Sequence, residues 1–234
     1  MEGLIADAVA PVRRADGEAS RARILEAAGR LFAEHSFDSV STRRIAKAAG
    51  ANLSAIGYHF GGKEELYGAV LRRLVADTEP MIGTAVALLE SGVAEAAGDR
   101  HILARVMTDF LRGLLGSILG TERMRWQMAL MLREFHHPSN WFPMLLEKRI
   151  HPLHDAVAGL VGAATGSPPE TPETRLKTAA LIGQCMALGA ARRVIWARLD
   201  WDEYTPERVD FVIATLTPVT LAMFGLPSGD GGSE

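Results

Sequence analysis

The stretch "TRRIAKAAGANLSAIGYHFGGKEELY", residues 42–67, decides how the whole chain reads. Ile45, Ala46 and Ala49 fall on one face of a first short helix, and Ile56 and Phe60 on one face of a second. Between them, Gly50 can take the left-handed conformation that ends a helix, and Asn52 can cap the next one. Gly61 and Gly62 break the chain again before Lys63-Glu64-Glu65 opens a longer helix. The pattern predicts helices over 42–49 and 53–59. Two short helices joined by a tight turn and leaning on a preceding helix are the layout of a helix-turn-helix.

Packing accounts for Ile56 and Phe60, which leaves Ser54, Ala55, Gly57, Tyr58 and His59 outward. Small side chains let a helix settle into a major groove about 12 Å wide, where Ser or Ala can meet a base edge or a thymine methyl. Thr42, Arg43, Tyr58, His59 and Lys63 would flank that groove and reach phosphates, which fix register without reading sequence. The helix N-termini near Thr42 and Lys63 add backbone donors for the same anions. An ordinary helical corner explains Gly50 and Asn52 equally well; Ser54, Ala55, Tyr58 and His59 fit the groove better. The net charge of -3 conceals a division, since residues 20–75 hold nine Lys/Arg against five Asp/Glu. An N-terminal basic face on an acidic body follows.

Outside this stretch almost every segment is rich in Ala, Leu, Arg and Glu, and none alternates apolar and polar residues, so the expected fold is all-α. Helix one is expected from Ser20 to His35, with Ile24, Leu25, Ala28, Leu31 and Phe32 on its stripe. A long helix from Lys63 should reach Leu89, with a bend near Pro80 and a loop over 92–98. Further helices are expected at about 99–119, 122–136, 139–164, 172–198 and 206–224. The expected organisation is a disordered arm over 1–19, a DNA-binding domain over 20–66, a ligand-binding and dimerisation domain over 67–225, and a disordered tail over 226–234. At 48% hydrophobic residues the chain can bury a sizeable core, yet no run approaches the roughly 20 apolar residues of a membrane span. The N-terminus has no secretory pattern, and Cys185 alone builds no disulfide, so the expected location is the cytoplasm.

Residues 20–71 resemble the DNA-binding domain of the TetR family of transcriptional regulators, through "ARILEAAGRLFAEHSFDSVSTRRIAKAAG" and "YHFGGKEELYGAVL". The resemblance implies a homodimeric repressor whose N-terminal domains read a palindromic operator on double-stranded DNA. It implies C-terminal domains that dimerise and hold a small-molecule inducer. By motif position, phosphate contacts fall on Thr42, Tyr58, His59 and Lys63, and base reading on Arg43, Ser54 and Ala55. Gly57 departs from the family, many of whose members carry a second aromatic residue there that touches the DNA backbone, and Leu53 stands where a polar residue is common. "NLSAIGYHFGGKEELY" and "LREFHHPSNWFPMLLEKRIHPLHDAVAGLVG" are similar to the CecR-like subgroup, which is associated with responses to antibiotics.

In the middle helices, bulky apolar side chains fill core or line a cavity. The candidates for ligand contact are Phe110, Trp126, Met131, Phe135 and Met186. His136, His137, His151 and His154 raise an alternative, a metal-dependent hydrolase, but His136 and His137 point apart on a helix and no Cys joins them. The expectation is a protein without catalytic residues, metal or cofactor. Cys185 sits in "LIGQCMALGAARRVIWARL", a helix apolar on most sides, which suits pairing of C-terminal helices between two copies, with Gly183 and Gly189 permitting close contact.

Overall fold

A computed structural model describes residues 6–120 and 122–228, with side chains over 16–120 and 125–228. Among the described residues the fold is all-helical and has no strand. The helices are α1 (Ala6–Glu34), α2 (Thr42–Ala49), α3 (Leu53–Phe60), α4 (Lys63–Ala96), α5 (Arg100–Gly120), α6 (Glu122–His136), α7 (Phe142–Leu145), α8 (His151–Thr165), α9 (Pro172–Ala190), α10 (Arg192–Leu199) and α11 (Pro206–Met223). A single π-helical turn, Leu146–Ile150, joins α7 to α8.

The chain divides into two compact units. The first runs to Leu74 and takes in Ala129–Trp141; the second holds Val75–Met128 and the chain from Phe142 onward. Residues 129–141, which the sequence pattern places in a C-terminal domain, thus belong with the N-terminal helices. In the first unit α1 packs on α2 and α3 around Ile24, Ala28, Phe32, Ile45, Ile56 and Phe60, all buried. In the second, α5 packs against α8, α9 and α11. Arg100, at the start of α5, donates to the carbonyls of Ala164, Phe224 and Gly225, closing the ends of α8 and α11 onto it.

Several helix limits differ from the sequence pattern, for identifiable reasons. α1 begins at Ala6 instead of Ser20, because the Ala-rich run outweighs Pro11 and Gly17. Residues 6–19 are therefore helix in place of the expected arm, while residues 1–5 and 229–234 lie outside the described residues. The expected tail loses its first residue to the core, since Leu226 is buried and its N–H donates to Leu221 O at 2.9 Å. α4 continues through the expected loop to Ala96. Gly92, which reads as a breaker, is a packing residue: a Cβ there would lie 2.6 Å from Val106 Cγ2 on α5. The turn comes later, at Ala97 and Gly98, both with positive φ, and Asp99 Oδ1 then caps α5 by accepting from His101 N at 2.8 Å. The single helix expected over 172–198 is broken at Ala191. Side chains take carbonyls before the break: Tyr204 Oη donates to Leu188 O at 3.2 Å and Arg192 Nε to Gly189 O at 2.8 Å.

Candidate nucleic-acid interface

The corner over residues 41–63 is fixed by its own caps. Ser41 Oγ accepts from Arg44 N at 3.2 Å at the start of α2, and Gly50 ends that helix with φ 57°. Asn52 Oδ1 accepts from Ser54 N at 3.4 Å at the start of α3, and Gly61, with φ 80°, ends it. Two contacts from α1 hold the pair in place. Arg23 Nε donates to Ala49 O at 3.4 Å, and the Arg21 guanidinium lies 5.3 Å from the centre of the Phe60 ring.

With Ile56 and Phe60 buried, α3 presents Ser54, Gly57 and Tyr58 to solvent, with Ala55 and His59 half-buried beside them. Tyr58 is 86% exposed, and its ring meets His59 edge-on at 5.1 Å. A Cβ added to Gly57 would meet nothing within 4 Å, so no neighbour in the fold requires glycine there. Leu53 is likewise exposed at the rim of α3. Thr42 opens α2 and Arg43 beside it is exposed. Lys63 opens α4 with its Nζ 4.3 Å from the centre of the Phe37 ring, a cation–π contact. The residues expected to touch DNA therefore cluster on one helical corner, at the ends of α2 and α4 and along the outer face of α3.

A second feature of this unit escaped the sequence pattern. Glu134 is 1% exposed, and its carboxylate accepts from Tyr67 Oη at 2.6 Å, Ser139 N at 3.1 Å and Ser139 Oγ at 2.9 Å. Burial and the adjoining carboxylate push the Tyr67 hydroxyl far above its ordinary range, so it stays protonated and donates. Arg133 donates to the carbonyls of Phe32 and His35, at the end of α1. Trp141 lies against Gly68, and the Arg72 guanidinium stacks on its ring at 4.5 Å. The available signal was the spacing of Gln127, Leu130, Met131 and Glu134, one helix face on which every residue is buried.

The five candidate ligand contacts do not share a unit. Met131, buried, and Phe135, exposed, lie in the first; Phe110, buried, with Trp126 and Met186, half-buried, lie in the second. The four histidines separate in the same way, His136 and His137 in the first unit and His151 and His154 in the second. Among the described residues no three His, Cys, Asp or Glu side chains are grouped to hold a metal. Cys185 is buried and its thiol is pushed up to about 11 by that burial. Gly183 is exposed with open space above it, whereas Gly189, expected to permit close contact with a second copy, is buried against Ile118 of this chain.

Residues 24–70 match the family described as bacterial regulatory proteins, tetR family. Residues 103–225 match the C-terminal domain of the HTH-type transcriptional dual regulator CecR. The chain is 26% identical to the HTH-type transcriptional dual regulator CecR of Shigella flexneri over 88% of this chain and 92% of that one. It is 47% identical to the HTH-type transcriptional repressor AcnR of Corynebacterium efficiens over 23% of this chain and 28% of that one. In fold it is similar to the TetR family transcriptional regulator PfmR of Thermus thermophilus, with a TM-score of 0.53 at 20% identity over 88% of this chain and 97% of that one.

Proposed function

Because this chain belongs to the TetR family of transcriptional regulators and carries a C-terminal domain of the CecR type, we propose that it is a homodimeric repressor released from a palindromic operator by a small-molecule inducer. Its relatives are transcriptional regulators, and the hydrolase alternative has no support among them. The observation that carries the reading is the outer face of α3, where a fully packed inner face leaves Ser54, Gly57 and Tyr58 free for a groove. On this reading Arg43, Ser54 and Ala55 read bases, and Thr42, Tyr58, His59 and Lys63 hold phosphates, with residues 20–66 as the DNA-binding domain and the second unit for ligand and dimer. No described helix is long and apolar enough to cross a membrane, and the proposed location is the cytoplasm.

The dimer reading is supported by the apolar face of α9 and α11, which Gln184 Nε2 joins by donating to Thr220 Oγ1 at 3.0 Å. Leu176, Phe211, Val219 and Met223 are all exposed on these helices, which supports their use in pairing with a second copy. Two copies joined there would set their recognition helices for successive major grooves about 34–36 Å apart, and inducer binding would change that spacing. The test is a gel shift with the chain's own upstream DNA at matched salt. Binding no tighter than to random duplex refutes the reading.

A further inference from the structure

Among the described residues, every buried side-chain polar atom left without a hydrogen-bond partner belongs to the second unit: Trp126 Nε1, Gln127 Nε2, Arg149 Nε, Thr178 Oγ1 and Trp196 Nε1. Native interiors pair nearly all such atoms, so each orphan calls for a partner from outside the chain. All of these atoms can donate, and so they suit acceptor oxygens. Arg149 is the extreme case. Its side chain is half-buried and its Nε is buried without an acceptor, and an unpaired buried donor on a permanently charged group is costly.

Arg149 lies in the π-helical turn Leu146–Ile150, between Leu145 and Leu153, both buried. Wider turns of this kind are rare and recur at functional sites. Among the described residues none accepts a hydrogen bond from the buried Arg149 Nε. Burial alone pushes the guanidinium down to about 10, with no carboxylate opposing that shift. His154 lies within electrostatic reach: burial lowers its imidazole first, His151 and Arg149 lower it further, and Asp155 acts the other way. α9, which carries the orphaned Thr178 hydroxyl, packs on α8 immediately after this turn.

We propose that Arg149 is the anchor for a carboxylate on the small molecule this domain binds, with an apolar body on the ligand beyond the charged group. The assignment rests on the inducer-binding reading above. One guanidinium fork matches the two oxygens of a carboxylate. One guanidinium balances a monoanion and leaves a dianionic phosphate half-neutralised.

The experiment uses the full chain, with benzoate, 4-phenylbutyrate and 2-naphthoate as probes and their primary amides as uncharged counterparts, at constant ionic strength. Calorimetric titration should show at least one acid binding about thirtyfold or more tightly than its amide. In Arg149→Met that preference should fall to within about threefold. The unliganded variant should melt no lower than the parent, because the unpaired buried Nε–H is gone. No binding by any of the acids overturns the proposal, as do equal binding of acid and amide, a preference that persists in Arg149→Met, or a variant that melts several degrees lower. Operator release separates the two readings. Release by amides, equal in parent and variant, overturns the Arg149 assignment and leaves the inducer reading standing. An intact acid preference with no release supports Arg149 and refutes the inducer.

Discussion

Replacing Tyr67 by Phe removes one oxygen and leaves the ring where it is. That ring meets Phe32 edge-on at 5.0 Å and Phe37 at 5.3 Å, contacts that Phe reproduces. What is lost is the 2.6 Å bond to Glu134, whose carboxylate then relies on Ser139 alone among the partners described. A hydrogen bond to a charged group contributes about 1.5–3 kcal/mol, and a short O–H to carboxylate bond in a buried site lies in the upper part of that range. The expected loss is therefore about 2–3 kcal/mol. For a chain of this length it corresponds to a melting temperature lower by roughly 4–12 °C.

A pH series gives a second, independent readout. Because the folded-state pKa of Tyr67 is raised, its contribution is fully present below the ordinary tyrosine value and is lost as pH rises beyond it. Above about pH 10 the unfolded chain ionises this tyrosine while the folded chain does not. The parent should then lose about 1.4 kcal/mol per pH unit relative to Tyr67→Phe, so the gap between the two narrows at high pH. The assay is urea unfolding followed by circular dichroism. A variant within about 0.5 kcal/mol of the parent near neutral pH refutes the claim that this bond anchors residues 129–141 to the first unit. So does a gap that stays constant above about pH 10.

Three further predictions follow from single contacts. Gly68→Ala places a Cβ 2.2 Å from the Trp141 ring, which Arg72 covers on its face, so the variant should lose about 1–3 kcal/mol in thermal unfolding despite its better helix propensity. Lys63→Gln should weaken binding to operator and random duplex alike and lower the salt slope by about 0.9 per subunit, whereas Arg43→Ala should mainly reduce the ratio between the two; filter binding across a salt series reads both. Cys185, buried and with its thiol pushed up to about 11, should react with a disulfide reagent near about pH 8 only after denaturation, and labelling of the native protein at the denatured rate would show that α9 does not bury it.

The helical corner was legible because every signal that builds it is local. Ser41, Gly50, Asn52 and Gly61 each act within four residues of their own position, so a short window contains all the physics. The limits of α4 and α9 were not legible for the converse reason. Gly92 reads as a breaker until Val106 is known to fill the space beside it, and the break at Ala191 depends on the Tyr204 hydroxyl reaching back to Leu188 O. Glu134 and Arg149 are the same lesson at the level of sites. A charged residue in a helical sequence reads as a solvated face, and only the third dimension separates a carboxylate held by Tyr67 and Ser139 from a guanidinium whose Nε is buried without an acceptor.

That contrast bears on function as well as on stability. Within a fold selected for packing, a residue that serves no neighbour is a standing cost unless something outside the chain uses it. Gly57 lowers helix stability by about 1 kcal/mol relative to alanine, and no atom lies where its Cβ would be. Tyr58 holds an aromatic ring in water beside it. Arg149 buries its Nε with no acceptor. Two of these costs fall side by side on the outer face of α3, and the third falls in the second unit. An operator on the first surface and an anionic ligand in the second unit would each remove the cost found there. On the proposed reading these costs belong to two sites with two partners, as a regulator that converts ligand binding into DNA release would need.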